Sequence, residues 1–300
     1  MAKELKLGKL YYEISRHNPP ALTIRPGETV VVETEDAFSG QVRKPGDRRD
    51  TEAMPYGNPQ SGPIYVEGAE KGDTLAVRIE RIVPRLGQAA TRTGGPGGLG
   101  EYLGLEVPHG TRICPIRDGK VWWSETVAIP YEPMIGTIGT APEMGVPTTG
   151  PAGPHGGNMD LKEVTEGNTV YLPVYVPGAL LHLGDVHANQ GHGELCGTAL
   201  EMPAVVTITV DLIKGKAIQR PRIRSSREMM AVATGTPMEA SVRQAYADLI
   251  LWMEEEYGLD RWAGYNLCTQ VGRISVGWHL VGTVAAIIDV AYVEAAVRQP

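Results

Sequence analysis

Alternating apolar and polar residues predict a series of β-strands along the first two thirds of the chain. Successive side chains of a strand point to opposite faces, so an apolar residue at every second position marks the buried face. Two strands are expected within residues 20–36, joined by a Pro-Gly turn, with Asp36 on the apolar face of the second. Further strand patterns cover residues 75–79, 170–176 and 204–212.

Prolines and glycines predict interruptions of the strand pattern at three places. Pro173 predicts an edge position or a bulge, because proline has no amide hydrogen to give to a sheet. Residues 93–100 are mostly glycine, which predicts a flexible loop or lid. Residues 141–158 are rich in glycine and proline, and so long an irregular segment in a compact domain is often functional.

The last third of the chain changes to helical spacing. Thr236 is expected to cap a helix that begins at a proline and ends at Gly258, with apolar residues at positions 242–257. Asp260 can cap a second helix that extends to about residue 271. Residues 285–293 predict a late strand.

These patterns predict a mainly β fold in two portions. A β-rich catalytic body is expected over residues 1–214, with a smaller α+β C-terminal portion over residues 215–300 packed on it. Composition agrees, since 37 glycines and 23 prolines among 300 residues supply the turns that many short strands need.

Charge and cysteine content narrow the choice of partners and compartment. The net charge of −7 argues against nucleic acids and anionic membranes as partners. Cys114, Cys196 and Cys268 are odd in number and widely spaced, so we expect no disulfide framework and a reducing, cytoplasmic location. No apolar run has the pattern of a signal peptide or of a membrane span.

Side chains suited to catalysis or metal binding are concentrated in residues 184–201, between two predicted strands. Buried polar groups are costly unless they are paired or bind something, so this density indicates a site. The polar side chains are Asp185, His187, Gln190, His192, Glu194 and Glu201.

Asp185 and His187 would point the same way on a strand, about 6.6 Å apart. A carboxylate and an imidazole together suit zinc or a similar divalent cation. Two side chains do not complete a metal site, and Glu201 and Asp36 are the candidates for further ligands. The alternative is a hydrogen-bonded Asp–His pair that holds a loop.

Three other side chains could bind substrate or transfer protons. Glu194 lies among glycines that let a small ligand approach the backbone, and in an acidic site its raised pKa would suit proton transfer. Asn158 and Gln190 can donate and accept hydrogen bonds to a small polar substrate. Cys196 is expected to be a packed side chain rather than a nucleophile, because nearby acids disfavour its thiolate.

Three segments together resemble the acetamidase/formamidase family: residues 58–69, 156–160 and 184–201. The similarity extends from about residue 10 to about residue 290. It implies hydrolysis of short aliphatic amides such as formamide or acetamide, a sandwich-like β body with an α+β part, and a homo-oligomer.

The resemblance also implies matching positions for the candidate site residues. Asp36 matches an Asp at the end of an early family strand, and Asn158 and Asp160 match a Gly-Gly-Asn-x-Asp segment. The remaining matches, in one segment, are Asp185, His187, Gln190, Glu194 and Glu201. His192 departs from the family, which more often has Asp there, and this leaves the local charge and the substrate open.

We therefore expect an amidohydrolase that uses water activated by a divalent cation, zinc or alternatively calcium. In this hypothesis Glu194 is catalytic and Asn158 and Gln190 bind substrate. The cation is held by Asp36, Asp185, His187 and Glu201. Two alternatives stay open: a metal-free amidase with Cys196 as nucleophile, and a non-catalytic β-sandwich binding module.

Overall fold

The computed structural model describes residues 2–94, 99–104 and 106–298, which are mostly strands. In chain order the strands are β1 (Lys3–Leu5), β2 (Leu22–Ile24), β3 (Glu28–Glu33), β4 (Gln60–Val66), β5 (Thr74–Pro84), β6 (Gln88–Thr93), β7 (Gly110–Arg117), β8 (Lys120–Trp122), β9 (Ala128–Pro130), β10 (Met134–Gly139), β11 (Ala152–Gly153), β12 (Gly156–Asn158), β13 (Thr169–Pro173), β14 (Leu181–His187), β15 (Ala204–Ile213), β16 (Arg222–Arg224), β17 (Glu228–Ala233), β18 (Arg273–Val276) and β19 (Val284–Asp289). The helices are α1 (Gly100–Leu103), α2 (Met238–Tyr257), α3 (Arg261–Val271) and α4 (Val290–Val297), with a 3-10 turn at His279–Val281.

The strands form three sheets around a shared core. A nine-stranded sheet has the order β1-β3-β15-β5-β13-β16-β17-β19-β18, and a six-stranded sheet has the order β11-β12-β10-β14-β4-β2. A four-stranded sheet has the order β6-β7-β8-β9. Val32 and Ile208 of the first sheet pack in one buried cluster with Ile135 and Leu183 of the second. The predicted mainly β, sandwich-like fold is therefore confirmed.

The register of the nine-stranded sheet explains why apolar and polar residues alternate along its strands. Val206 in β15 lies opposite Val32 in β3 and Ile82 in β5, and all three side chains are buried. Apolar residues at every second position of three neighbouring strands thus reach one core. Asp36 continues this face beyond the end of β3 and is buried, as predicted.

The C-terminal helices cover one end of the nine-stranded sheet. Leu249 and Met253 of α2 pack with Met229 and Ile288 of the sheet. The helix ends at Gly258 in left-handed conformation, and Asp260 caps α3 by accepting from the amides of residues 262 and 263, as predicted. None of the helices in the described ranges combines the length and apolar character needed to span a bilayer.

Two local predictions are wrong, and a third is confirmed. Thr236 is not the cap of α2, because the cap position falls on Pro237, which makes no side-chain cap bond. The late strand ends at Asp289, whose side chain accepts from the amide of Ala291 and starts α4. Pro173 pairs with Thr74 of β5 on one side only, because β16 pairs only with residues 169–171 of β13, so the proline has the predicted edge position and no sheet hydrogen bond is lost there.

The two loop predictions have different outcomes. The glycine-rich segment predicted as a flexible loop or lid lies largely outside the described residues, since 95–98 are not among them. The irregular segment 141–158 contains the short strands β11 and β12, and its residues 148–150 line the pocket described below.

Candidate active site

Strand β14 carries Asp185 and His187 in the interior of the six-stranded sheet, between β10 and β4. Beyond β14 the chain returns, and Glu201 forms a backbone bridge with His187. Glu201 also exchanges two backbone hydrogen bonds of 2.8 Å with Ala90 of β6. These pairings bring residues from both ends of the 184–201 segment to one place.

Three acidic residues near this point have left-handed backbone conformations that are uncommon for residues other than glycine. The φ angles are 50° at Asp160, 57° at Asp185 and 45° at Glu194. Such conformations cost about 1–3 kcal/mol each and are concentrated at functional sites. The surrounding structure must stabilise these carboxylates where they are.

His187 is the centre of the cluster. Its Nε2 atom lies 3.4 Å from Asp185 Oδ1 and 3.2 Å from Glu201 Oε2. Among the described residues, ligand atoms within 4.8 Å of one another form two groups that share His187: one with Asp160 and Asp185, the other with Glu194 and Glu201. All five side chains are buried.

Three atoms of this cluster are buried without a hydrogen-bond partner: Asp160 Oδ1, His187 Nε2 and Glu201 Oε2. The second oxygen of each carboxylate is bonded. Asp160 Oδ2 accepts from Asn158 Nδ2 at 2.9 Å, and Glu201 Oε1 accepts from the amide of Ala199 at 2.9 Å. An unpaired buried polar atom is costly, so three in one cluster are suited to bind a ligand.

Gln190 determines which nitrogen of His187 is free. Its Nε2 donates to the backbone oxygen of Asp160, so its Oε1 faces His187 Nδ1, at 2.9 Å. In a neutral ring Nδ1 therefore carries the hydrogen and Nε2 carries a lone pair directed at the carboxylates. A lone pair among carboxylate oxygens is stable only if a proton or a metal cation lies between them.

The pKa values show the same need for positive charge. Burial lowers the pKa of His187, but the carboxylates of Glu201 and Asp185 raise it well above its ordinary value. Burial, reinforced by Asp185, raises the pKa of Asp160, and burial raises that of Glu201. Burial together with Asp160 raises the pKa of Glu194 to about 10.

The structure does not bring Asp36 into this cluster. Its carboxylate is bound by Arg43 Nη1 and by the backbone amides of Phe38 and Gly40, at 2.9 and 3.1 Å. Asp160 lies in the cluster instead, although it was not predicted from the sequence to be a metal ligand.

The two amides predicted to bind substrate are both engaged within the protein. Both ends of Gln190 are used in holding His187 and the backbone of Asp160. Asn158 accepts from Asn58 Nδ2 at 3.2 Å and from Thr137, and it donates to Asp160, although it also reaches the pocket.

Gly136 of β10 makes room for the carboxylates. A Cβ atom at this position would lie 2.6 Å from Asp160 Oδ1 and 2.8 Å from Asp185 Oδ2. Only glycine leaves that space. Asn58 Nδ2 donates to Asp185 Oδ2 at 3.2 Å, and the Thr137 hydroxyl, which donates to Asn158, lies 3.2 Å from the same oxygen. Of Gly136, Thr137 and Asn58, only Asn58 had a signal in the sequence, since it begins the 58–69 segment.

A pocket of about 300 Å³ opens over the cluster. Asn158, Asp185, Glu194 and Glu201 form part of its wall. Cys196 is exposed and is not among the lining residues. Several other lining residues had no signal in the sequence, because they come from separate parts of the chain: Tyr12, Phe38, Arg49, Tyr56, Arg92 and Trp278.

Comparison with known proteins adds the family context. The chain matches the Acetamidase/Formamidase family over residues 15–150 and 140–257. It is 30% identical over 266 residues to the acetamidase of Mycolicibacterium smegmatis, an alignment that covers 66% of this chain and 64% of that protein. The chain thus spans somewhat less than two thirds of this curated relative.

Two solved structures are similar over nearly the whole chain. The acetamidase from Yersinia enterocolitica has a TM-score of 0.91 and 36% identity, covering 98% of this chain and 93% of that chain. The acetamidase from Bacillus halodurans has a TM-score of 0.90 and 32% identity, covering 98% and 99%.

Proposed function

The chain belongs to the Acetamidase/Formamidase family, and we propose that it hydrolyses short amides to a carboxylate and ammonia. The observation that carries this proposal is the set of three unpartnered buried ligand atoms beside a pocket. The acetamidases that resemble the chain add support for an amide substrate.

We propose that the cluster binds a divalent cation. Asp160, Asp185, His187 and Glu201 would hold it, and the mixture of one imidazole with carboxylates favours zinc or a similar ion over calcium. Asp160 takes the place that the sequence analysis gave to Asp36. Such a cation would polarise the amide carbonyl and lower the pKa of water towards 7.

Glu194 is suited to carry the proton that the reaction must move. Its side chain lines the pocket and lies against the cluster. In this proposal its carboxylate accepts a proton from the attacking water and returns it to the amide nitrogen as the carbon–nitrogen bond breaks. Burial and the neighbouring carboxylates raise its pKa, and a cation held beside it would lower that pKa again, which leaves the carboxylate ionised for the first transfer.

Ammonia release from formamide, acetamide and propionamide tests the function. We expect turnover by the wild-type protein and at least about 100-fold slower turnover by Glu194→Gln, since general acid–base catalysis contributes about 10²–10⁴-fold. Cys196→Ala is the matched control, and it should keep near-normal turnover because the Cys196 thiol is exposed and, within the part of the chain that the structure describes, bonds only the oxygen of Thr198. No ammonia from any of the three amides would overturn the proposal.

We further propose the homo-oligomeric state that the family resemblance implies. Light scattering coupled to size-exclusion chromatography should give a mass that is a multiple of 32.3 kDa. A mass equal to that of one chain would exclude it.

A further inference from the structure

We propose that the preferred substrate is a short amide with a carboxylate at its other end, and that Arg49 and Arg92 bind this carboxylate. The inference rests on the proposed amide hydrolysis, and it names the substrate class that the same pocket would select.

The pocket is larger than the simplest amides require. Its volume of about 300 Å³ corresponds to about ten water molecules at roughly 30 Å³ each. Acetamide has only four non-hydrogen atoms. A substrate that fills the pocket must extend beyond Glu194 and Glu201 along a lining that also includes Arg49 and Arg92.

Both arginines lack an acidic partner among the described residues. Arg92 Nε donates to Thr198 Oγ1 at 3.4 Å, and Arg49 Nη2 donates to the backbone oxygens of Met54, at 3.0 Å, and Tyr56. Neither guanidinium lies within 4.0 Å of a described carboxylate. Four other partly buried arginines all have such a partner: Arg43, Arg220, Arg222 and Arg224.

The two guanidinium groups are close enough to repel each other. Burial lowers the pKa of Arg49, and the charge of Arg92 lowers it further. An anion bound by both groups would remove this repulsion, and guanidinium groups bind carboxylates through paired, charge-assisted hydrogen bonds. A second cavity of about 380 Å³ shares Arg49 and Arg92 and adds Arg48 and His109, which extends the basic surface.

Backbone pairing determines the distance between Arg92 and the cluster around His187. Ala90 of β6 is paired with Glu201, and Arg92 is two residues further along the same strand. Two residues of a strand span about 6.8 Å. A short carbon chain can therefore join an amide beside Glu201 to a carboxylate beside Arg92.

The test compares succinamate with butyramide, in which a methyl group replaces the carboxylate. We expect the wild-type kcat/KM to be at least about 10-fold higher for succinamate. Arg92→Gln and Arg49→Gln should each lower kcat/KM for succinamate about 10- to 100-fold, mainly through KM, because each removes charged hydrogen bonds. The loss for butyramide should be at least about 10-fold smaller. Arg112→Gln is the charge-matched control, since Arg112 is on the neighbouring strand β7 and its side chain contacts Trp123 outside the pocket.

Equal losses for both amides, or no preference for succinamate in the wild type, would overturn the inference. If no amide releases ammonia, the proposed hydrolysis fails, and calorimetric titration with succinamate then tests the arginine pair by itself. Binding by the wild type that is weakened at least about 10-fold in Arg92→Gln would support the carboxylate site, and undetectable wild-type binding would exclude it.

Discussion

His182 and His187 are five residues apart on the same strand and are both fully buried. They differ in the hydrogen-bond partners of their ring nitrogens. His182 has a partner for each nitrogen: Nδ1 donates to the oxygen of Leu180 at 3.0 Å, and Nε2 accepts from Asn18 Nδ2 at 3.3 Å. Burial lowers its pKa to about 4, so the ring is neutral. His187 has one bonded nitrogen and one that faces carboxylates, and its pKa is raised.

The difference is the one expected between a structural histidine and a ligand of a bound cation. A buried ring whose two nitrogens are satisfied stabilises the fold and needs nothing more. A buried ring with one free nitrogen among carboxylates requires a proton or a metal cation, and therefore indicates a binding site. Matched substitutions can test whether the two rings differ in this way.

The largest effect is expected from His187→Gln compared with His182→Gln. His187→Gln should lower kcat/KM for acetamide at least about 100-fold, because loss of a cation ligand should exceed the cost of losing one of its outer partners. His182→Gln should keep kcat/KM within about 3-fold but lower the free energy of unfolding by about 1–3 kcal/mol. Steady-state kinetics and urea unfolding measure both. Similar losses of activity in the two variants would remove the distinction.

A smaller effect is expected at Gln190, which fixes the orientation of the His187 ring. Gln190→Leu removes the acceptor for Nδ1 and should weaken metal binding about 10- to 100-fold, the usual cost of losing such a partner. Gln190→Glu keeps an acceptor there and should lose less. Competition with a chelator of known affinity measures both, and equal affinity in wild type and Gln190→Leu would contradict this role.

The third prediction concerns pH and His182, with His155 as a second case. Burial lowers the pKa of each ring to about 4, below the value near 6.5 expected in the unfolded chain. The unfolded chain therefore binds more protons between these values, so the stabilisation is complete above pH 6.5 and is lost as the pH falls to 4. The contribution of each ring to the free energy of unfolding should decrease by about 3 kcal/mol over this interval.

Comparison with His182→Gln isolates this effect from the buried carboxyls, whose raised pKa values act in the opposite direction. The unfolding free energy of the wild type should fall by about 3 kcal/mol relative to that of His182→Gln from pH 7 to pH 4, so that the variant becomes at least as stable as the wild type at pH 4. A difference that stays constant with pH would show that the ring is not held neutral.

Sequence patterns predicted the regular strands well but not the returns of the chain that complete the site. Alternation identified the buried positions of β3, β5 and β15, because successive side chains of a strand point to opposite faces. It also identified the burial of Asp36, which lies just beyond β3. It could not reveal that the loop after Asp36 brings Arg43 back to its carboxylate. Asp160 was overlooked as a ligand because its position depends on a left-handed turn and on the space above Gly136.

The most direct test of the account is metal removal and reconstitution. Elemental analysis should find about one divalent ion per chain in active protein, because His187 is shared by both ligand groups. Chelation should abolish ammonia release from acetamide, and addition of zinc should restore it in the wild type but not in His187→Gln. Full activity in protein that contains no metal would contradict the account.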